Sequence, residues 1–303
     1  MQSGPSGTSS IATGMSADGA YVTGSTYGPG GSNLVRWSSD GQIVRTYGTT
    51  GGLTSMFPQA VVSGNGDFVA GSRLLNREAF RWSEGQGFEI IYSGNNVVKD
   101  VQISESGGLV VGANVLPTIG ERNPYSGWAW TPGTGFRFLE GNYLSQAPQV
   151  IAPDGSFIIG TYASDNFQQG AFALVRWAPD GSAHILFGPE TFSNRRSFIA
   201  TGVDSAGALI VGNMANYPEA ADPTVWTLGG GFVPLAAYFD AAGVDFDGWT
   251  LKSVSKLSAD GLTFAGVGIN PDGQRETWIA TIPAPGAVAV IGWAAVVCGR
   301  RRR

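Results

Sequence analysis

The chain has little cysteine, histidine or charge. Its single cysteine, Cys298, lies in an apolar stretch near the C-terminus, so the body can hold neither a disulfide framework nor a cysteine metal cluster. The single histidine, His184, restricts any serine–histidine triad to one built on that residue. Charged residues make up only 14% of the 303, which argues against a helical bundle with a salt-bridged surface. The formal charge of −5 includes four terminal arginines, Arg300 to Arg303; without them 14 Lys+Arg face 23 Asp+Glu, or −9. A body that acidic repels phosphate backbones, so no nucleic-acid partner is expected. No basic, apolar leader follows Met1, and "MQSGPSGTSS" reads as a loop rather than a signal peptide.

Glycine and aromatic residues are abundant, with 46 Gly and nine Trp. The glycines follow a repeat. "SADGAYVTG" at 16–24 returns as "SGNGDFVAG" at 63–71, "SESGGLVVG" at 104–112, "APDGSFIIG" at 152–160, "DSAGALIVG" at 204–212 and "SADGLTFAG" at 258–266. A tryptophan follows each copy, at Trp37, Trp82, Trp130, Trp177, Trp226 and Trp278. The first and last are 241 residues apart over five intervals, about 48 per repeat, a period in the range of propeller blades.

Within a repeat the pattern alternates like short strands. The second repeat supplies "QAVVS", "DFVAGS", "EAFRW" and "FEIIY" as strands a to d. The a–b turn ends on a glycine suited to the positive φ of tight hairpins. The tryptophan of strand c is expected to pack between neighbouring sheets, and the second glycine to mark a close backbone approach. Four antiparallel strands repeated radially make an all-β, six-bladed β-propeller with strand a innermost. A β-solenoid is the alternative, though its coils are shorter and lack such long hairpin loops.

"AVVSGNGDFVAGSRLLNREAFRW" at 60–82 resembles the HAF repeat of bacterial surface and secreted proteins, and the resemblance extends over about residues 11–282. The histidine that names that repeat is replaced here by Glu78. The resemblance implies a blade architecture and an extracellular setting, and it carries no catalytic residues.

The two ends depart from the repeat. The sixth unit runs from "LTFAGVGI" through "ETWIATI" straight into the tail, so the last blade is expected to lack its outer strand. The expected organisation is a loop-like N-terminus over 1–10, cut from a longer frame that supplies a leader and the missing strand, then a propeller over 11–282 and a tail over 283–303. In the tail, Pro283, Pro285 and Gly286 precede the apolar run Ala287–Cys298, and Arg300, Arg301, Arg302 and Arg303 close it. The run is short for a bilayer-spanning helix, and the arginines favour the cytoplasmic side. This layout resembles a PEP-CTERM sorting signal, with Ala284 where that signal has Glu. The resemblance implies a short hydrophobic helix, transient membrane contact through 287–298, removal by a membrane transpeptidase, and export to the cell surface or matrix. Plain tethering is the alternative.

Candidate chemistry is sparse. Asp18, Asp154, Asp180 and Asp260 each precede a glycine and belong to turns. Asp240, Asp245 and Asp247 cluster in "DAAGVDFDGW" as a weak calcium candidate, without the spaced ligands and closing Glu of an EF-hand. "GGG" at 229–231 lacks the Lys-Ser/Thr of a phosphate loop. The b–c loops vary in length and share one face with the d–a loops. That face offers Tyr27, Arg77, Arg122, Tyr125, Tyr162, Asp165, Arg195, Arg196 and Tyr217, a set suited to a sugar or a surface peptide. The resulting expectation is a non-enzymatic surface or matrix propeller without a cofactor. The PEP-CTERM resemblance implies extracellular polysaccharide as its partner. The alternative is a glycan hydrolase or lyase with carboxylates near the channel, which needs two acids in one pocket; Asp204 is the most visible acid near strand a.

Overall fold

The computed structural model describes residues 9–28, 31–50, 60–73, 77–117, 125–141, 145–163, 172–190, 196–216 and 222–283. The fold is an all-β, six-bladed propeller, with five sheets of four strands and one of three. It divides into two compact units, Met1–Arg195 and Arg196–Arg303.

In the first unit, blade 1 is β1 (Ser9–Met15), β2 (Tyr21–Gly28), β3 (Gly31–Ser38) and β4 (Ile43–Thr50). Blade 2 is β5 (Ala60–Val62), β6 (Phe68–Arg73), β7 (Glu78–Ser83) and β8 (Gly87–Ser93). Blade 3 is β9 (Val97–Ile103), β10 (Val110–Val115), β11 (Tyr125–Thr131) and β12 (Gly135–Phe138). Blade 4 is β13 (Ser145–Ile151), β14 (Ile158–Ala163), β15 (Phe172–Trp177) and β16 (Ala183–Glu190). In the second unit, blade 5 is β17 (Arg196–Val203), β18 (Leu209–Asn216), β19 (Asp222–Thr227) and β20 (Gly231–Pro234), followed by helix α1 (Leu235–Ala241). Blade 6 is β21 (Thr250–Leu257), β22 (Thr263–Ile269) and β23 (Arg275–Thr281).

The a–b turn is one device used six times. The amide of each turn glycine donates to the carbonyl three residues earlier, as Gly66 does to Ser63, with φ between 70° and 78° at all six. The hydroxyls of Ser16, Ser63, Ser104 and Ser258 accept the amides of Tyr21, Phe68, Leu109 and Thr263 at 2.8–3.0 Å. Asp204 holds the same position in blade 5, and its Oδ1 accepts the amides of Ala208 and Leu209. Asp204 therefore fixes a hairpin instead of serving as an acid on an inner strand, which corrects the expectation placed on it. Adjacent turns are also stitched by backbone bonds, Ala17 to Gly64, Asn65 to Glu105 and Ser205 to Ala259.

Three of the strand-c tryptophans fill seams as expected. Trp82 packs with Leu34 and Tyr47 of blade 1, Trp130 with Ala70 and Ala79 of blade 2, and Trp177 with Val111 and Ala129 of blade 3. Trp278 departs from the register. Trp37, Trp82, Trp130, Trp177 and Trp226 pair with the residue two before the second glycine of their repeat. Trp278 instead pairs with Gly266 itself, as Trp128 pairs with Gly112. A Cβ on either glycine would strike the indole, so the glycine makes room for the ring. In blade 6 the common tryptophan position is held by Ala280, opposite Phe264.

Arginine preceding the strand-c tryptophan crosses the seam. The Arg81 guanidinium lies 3.8 Å from the Phe68 ring centroid, and its Nε donates to the Gly107 carbonyl of the next blade at 2.9 Å. Arg36 stacks on Tyr21 at 4.3 Å and its Nη1 reaches Gly66 O at 3.4 Å; Arg176 stacks on Phe157 at 3.9 Å. Blades 3, 5 and 6 carry Ala129, Val225 and Ile279 at this position, with Leu109, Leu209 and Thr263 in place of the aromatic ring.

Three other findings adjust the sequence reading. Strand β1 starts at Ser9, so part of the 1–10 segment is strand. Helix α1 was not expected. The apolar run 287–298 lies outside the described residues, and among those described no helix is long and apolar enough to cross a membrane.

Candidate functional site

The second unit holds a cavity of about 810 Å³ between the loop end of blade 5 and the segment that leads into blade 6. Its walls come from Met214 of β18, Asp222 to Thr224 of β19, Phe232 to Pro234 of β20, α1, and residues 245–251.

Helix α1 forms because "LAAYFDA" is rich in helix formers and places Leu235 and Phe239 one turn apart, both buried. Gly243, with φ of 72°, ends it. The Val244 amide donates to Phe239 O and the Gly243 amide to Asp240 O, the paired bonds of a Schellman motif. The following segment is equally constrained. Asp245 Oδ1 accepts the Asp247 amide at 2.8 Å, and the Trp249 amide donates to Phe246 O across Gly248. Phe246 stacks on Phe239 at 5.2 Å and meets Trp278 edge-on at 5.6 Å, so this wall is tied to the unit's core.

The lining combines aromatic faces with acids. Phe232, Phe246 and Trp249 are half-buried there, while Asp222, Asp240, Asp245 and Asp247 are exposed; no Lys, Arg or His lines it. Carboxylates accept hydrogen bonds from hydroxyl or ammonium donors, and their summed field disfavours anions. Among the described residues no three His, Cys, Asp or Glu side chains converge to hold a metal ion. The calcium candidate is corrected on that ground, since the Asp245 carboxylate is turned onto its own backbone.

The residues expected on the ligand face do not gather here. Tyr162 is 2% exposed, packs against Trp177 and donates its hydroxyl to Glu140 O. It is a core residue, which corrects its placement on that face. Arg77 is exposed in the turn before β7, and Tyr27 and Tyr125 are half-buried at strand ends. Lys99 lies 5.8 Å from the Tyr125 ring. The side chain of Arg196, along with Arg122, Asp165, Arg195 and Tyr217, lies outside what is described, as do Pro285, Gly286 and Arg300 to Arg303 of the tail; Pro283 is exposed. His184 is an exposed residue of β16 opposite Arg176.

One acid escaped the sequence reading. Asp100 sits at the irregularity in β9 with φ of 54°, the single positive value outside glycine among the described residues. Desolvation pushes its carboxyl above the usual carboxylate range, against a smaller opposing effect of Lys99. "VKDVQ" gives no hint of the irregularity that strains it.

No protein-family model and no curated protein matches this sequence. Solved structures do match in fold. TolB from Acinetobacter baumannii is 10% identical with a TM-score of 0.50, over 74% of this chain and 53% of that one. An oligogalacturonate lyase in complex with manganese is 12% identical with a TM-score of 0.55, over 87% of this chain and 75% of that one. The acylaminoacyl peptidase of Pyrococcus horikoshii is 10% identical with a TM-score of 0.58, over 89% of this chain and 44% of that one. The chain thus spans about half the length of the first and less than half of the last. At such identities the likeness concerns the fold alone.

Proposed function

We propose that this protein is an exported, non-enzymatic propeller of the cell surface or extracellular matrix, and that it binds a polysaccharide in the second-unit cavity. The observation that carries the reading is the cavity itself. Its volume of about 810 Å³ falls in the range of ligand sites, and it sets the Trp249 and Phe246 rings beside four aspartates. Aromatic faces stack on the apolar face of a sugar ring while carboxylates accept from its hydroxyls. The acidic lining selects neutral or amino sugars over uronates. A glycan array followed by calorimetry tests this: binding of neutral or amino oligosaccharides that weakens about tenfold or more in Asp245→Asn/Asp247→Asn supports the reading. Equal binding by both forms, or a preference for uronates, overturns it.

Export rests on the tail. Pro283–Gly286 followed by an apolar run and four arginines supports a sorting signal that is cut after the propeller has crossed the membrane. Intact mass of protein from its native cell should end near Pro283–Gly286. Full-length protein in the membrane fraction would mean tethering, and recovery from the cytosol would defeat both.

The enzymatic reading, a glycan hydrolase or lyase, has one candidate acid, Asp100, at a position of positive φ; burial of its carboxyl pushes the group above its ordinary value, although the residue as a whole is exposed. A hydrolase needs a second acid within about 5–10 Å. Glycan cleavage that is lost in Asp100→Asn would establish it.

A further inference from the structure

Blade 6 differs from the other five in the outer side of its third strand. Strands β3, β7, β11, β15 and β19 each pair with a fourth strand, whereas β23 pairs with β22 alone among the described strands. An unpaired edge exposes a row of backbone donors and acceptors. Along this edge runs a groove of about 660 Å³, with Glu276 to Thr281 on one side and Val244 to Trp249 on the other. Trp278 and Ala280 of β23 are buried, while Ile279 between them is 72% exposed. The groove therefore has the backbone of a strand edge along one wall and the Phe246 and Trp249 rings in the other.

We propose that the chain's own segment 288–293, "VAVIGW", docks in this groove as the fourth strand of blade 6. The inference does not rest on glycan binding. Its first support is connection, because β23 ends at Thr281 and the segment begins seven residues later. The second is register. In the other five blades the residue at the common tryptophan position pairs with the residue six further on. Those turns place a glycine of positive φ four or five residues after the tryptophan, at Gly41, Gly87, Gly135, Gly181 and Gly231. Counted from Ala280, the same two places hold Ala284 and Pro285, and proline cannot adopt positive φ. Positive φ at Ala284 carries the steric cost of a Cβ, so the ordinary turn is disfavoured at both places, and the first glycine able to reverse the chain is Gly286.

A turn longer by two residues keeps the alternation of faces. It sets Val288 opposite Ala280 and Val290 opposite Trp278, so the two β-branched residues share the buried face of the strand. The third support is charge. Asp245, Asp247 and Glu276 line the groove, and the tail that continues from the segment closes on Arg300 to Arg303, seven residues past Trp293. A strand entering through a lengthened turn is held less firmly than its five counterparts, which leaves it able to detach when the tail is processed.

Hydrogen exchange on three forms tests the proposal: the full chain, Val290→Pro, and a chain ending at Pro283. Alternate amides of β23, those facing away from β22, should exchange at least tenfold more slowly in the full chain than in the other two. A peptide of residues 286–303 should restore the protection to the shortened chain. Val290→Thr, which keeps the backbone donor, should retain it and controls for misfolding of the proline form. Equal exchange in the full chain and Val290→Pro would overturn the proposal. Protection that disappears on dilution would also overturn it, since a second copy would then supply the strand.

Discussion

Two seams of the first unit and the seam of the second are built on different chemistry. Between blades 1 and 2 and between blades 2 and 3, an arginine spans the gap, stacked on an aromatic ring of its own blade and bonded to a turn glycine of the next. Between blades 5 and 6 the corresponding positions are aliphatic or Thr. There Asn213 grips the backbone of Val254 with both its oxygen and its nitrogen, at 3.0 and 2.9 Å, and Thr201 donates to Val254 O. Phe239, Phe246, Phe264 and Trp278 form an aromatic cluster beneath them. The lesson is that a repeat constrains the strand scaffold and leaves the seam free to vary. The seam built from α1 and its loop also carries a cavity.

The largest losses of stability should come from the buried rings of the seams. Trp82→Ala and Trp177→Ala each remove a fully buried indole from a first-unit seam and should cost about 3–5 kcal/mol. Phe239→Ala, 1% exposed, should cost a similar amount in the second unit. Denaturant unfolding of each variant measures it. An unchanged midpoint for Trp177→Ala would mean that the tryptophans do not hold the seams.

At the next level the polar ties are compared. Asn213→Ala takes the acceptor from the Val254 amide, while the Val254 carbonyl keeps the Thr201 hydroxyl, and should cost about 1–3 kcal/mol. Arg81→Lys keeps the charge but loses the planar stack and the Nε bond, which is not a conservative exchange; about 1 kcal/mol is expected. The pairing can also be transplanted. Leu109→Phe with Ala129→Arg gives blade 3 the residues of blade 2, and a double-mutant cycle should show favourable coupling of about 0.5–1 kcal/mol. Additive effects would mean that ring and arginine do not act together.

The regular part of this fold was open to reading in the sequence. Gly19 and its five counterparts mark a turn through positive φ, and Gly24, Gly112, Gly160, Gly212 and Gly266 mark a strand with no space for a Cβ. The arginine pairing was equally visible, since Arg appears before the tryptophan only in the repeats with Tyr21, Phe68 or Phe157; comparing repeats column by column would have found it. Trp278 misled because a residue count cannot show a two-residue offset in pairing. The cavity was hidden for another reason. Asp222 and Trp249 are 27 positions apart and meet only because α1 turns the chain back at Gly243. Tyr162 looked like a ligand residue because an aromatic at the end of strand b reads the same whether its ring faces a loop or the seam.

Smaller effects sharpen the comparison within the first unit. Tyr47 is 2% exposed, its hydroxyl has no hydrogen-bond partner among the described residues, and burial pushes its pKa up to about 12. Tyr47→Phe removes an unsatisfied polar atom while keeping the packing against Trp82. It should be neutral or stabilising by about 1 kcal/mol. A loss of stability would indicate a partner for the hydroxyl.

The smallest difference should appear in acid. Asp18, Asp40, Asp154 and Asp180 of the first unit, and Asp260 of the second, have carboxyls held below their ordinary value of 3.8, chiefly by hydroxyls of neighbouring serines. A carboxyl depressed by folding adds stability above its unfolded pKa, and that stability is lost as pH falls through the folded value. Four such turns against one mean that the first unit should weaken more than the second below about pH 4. Each group is exposed or nearly so, and salt and solvent keep each contribution small. Asp100 works in the opposite direction. Its raised carboxyl opposes folding at neutral pH and is relieved as pH falls toward 3.8, so Asp100→Asn, which also tolerates positive φ, should stabilise slightly at pH 7 and lose that advantage near pH 4. Hydrogen exchange at pH 7 and pH 3.5, read separately over 9–190 and 196–283, measures both effects. Equal acid sensitivity of the two units would show that the serine–aspartate turns do not contribute to the difference between them.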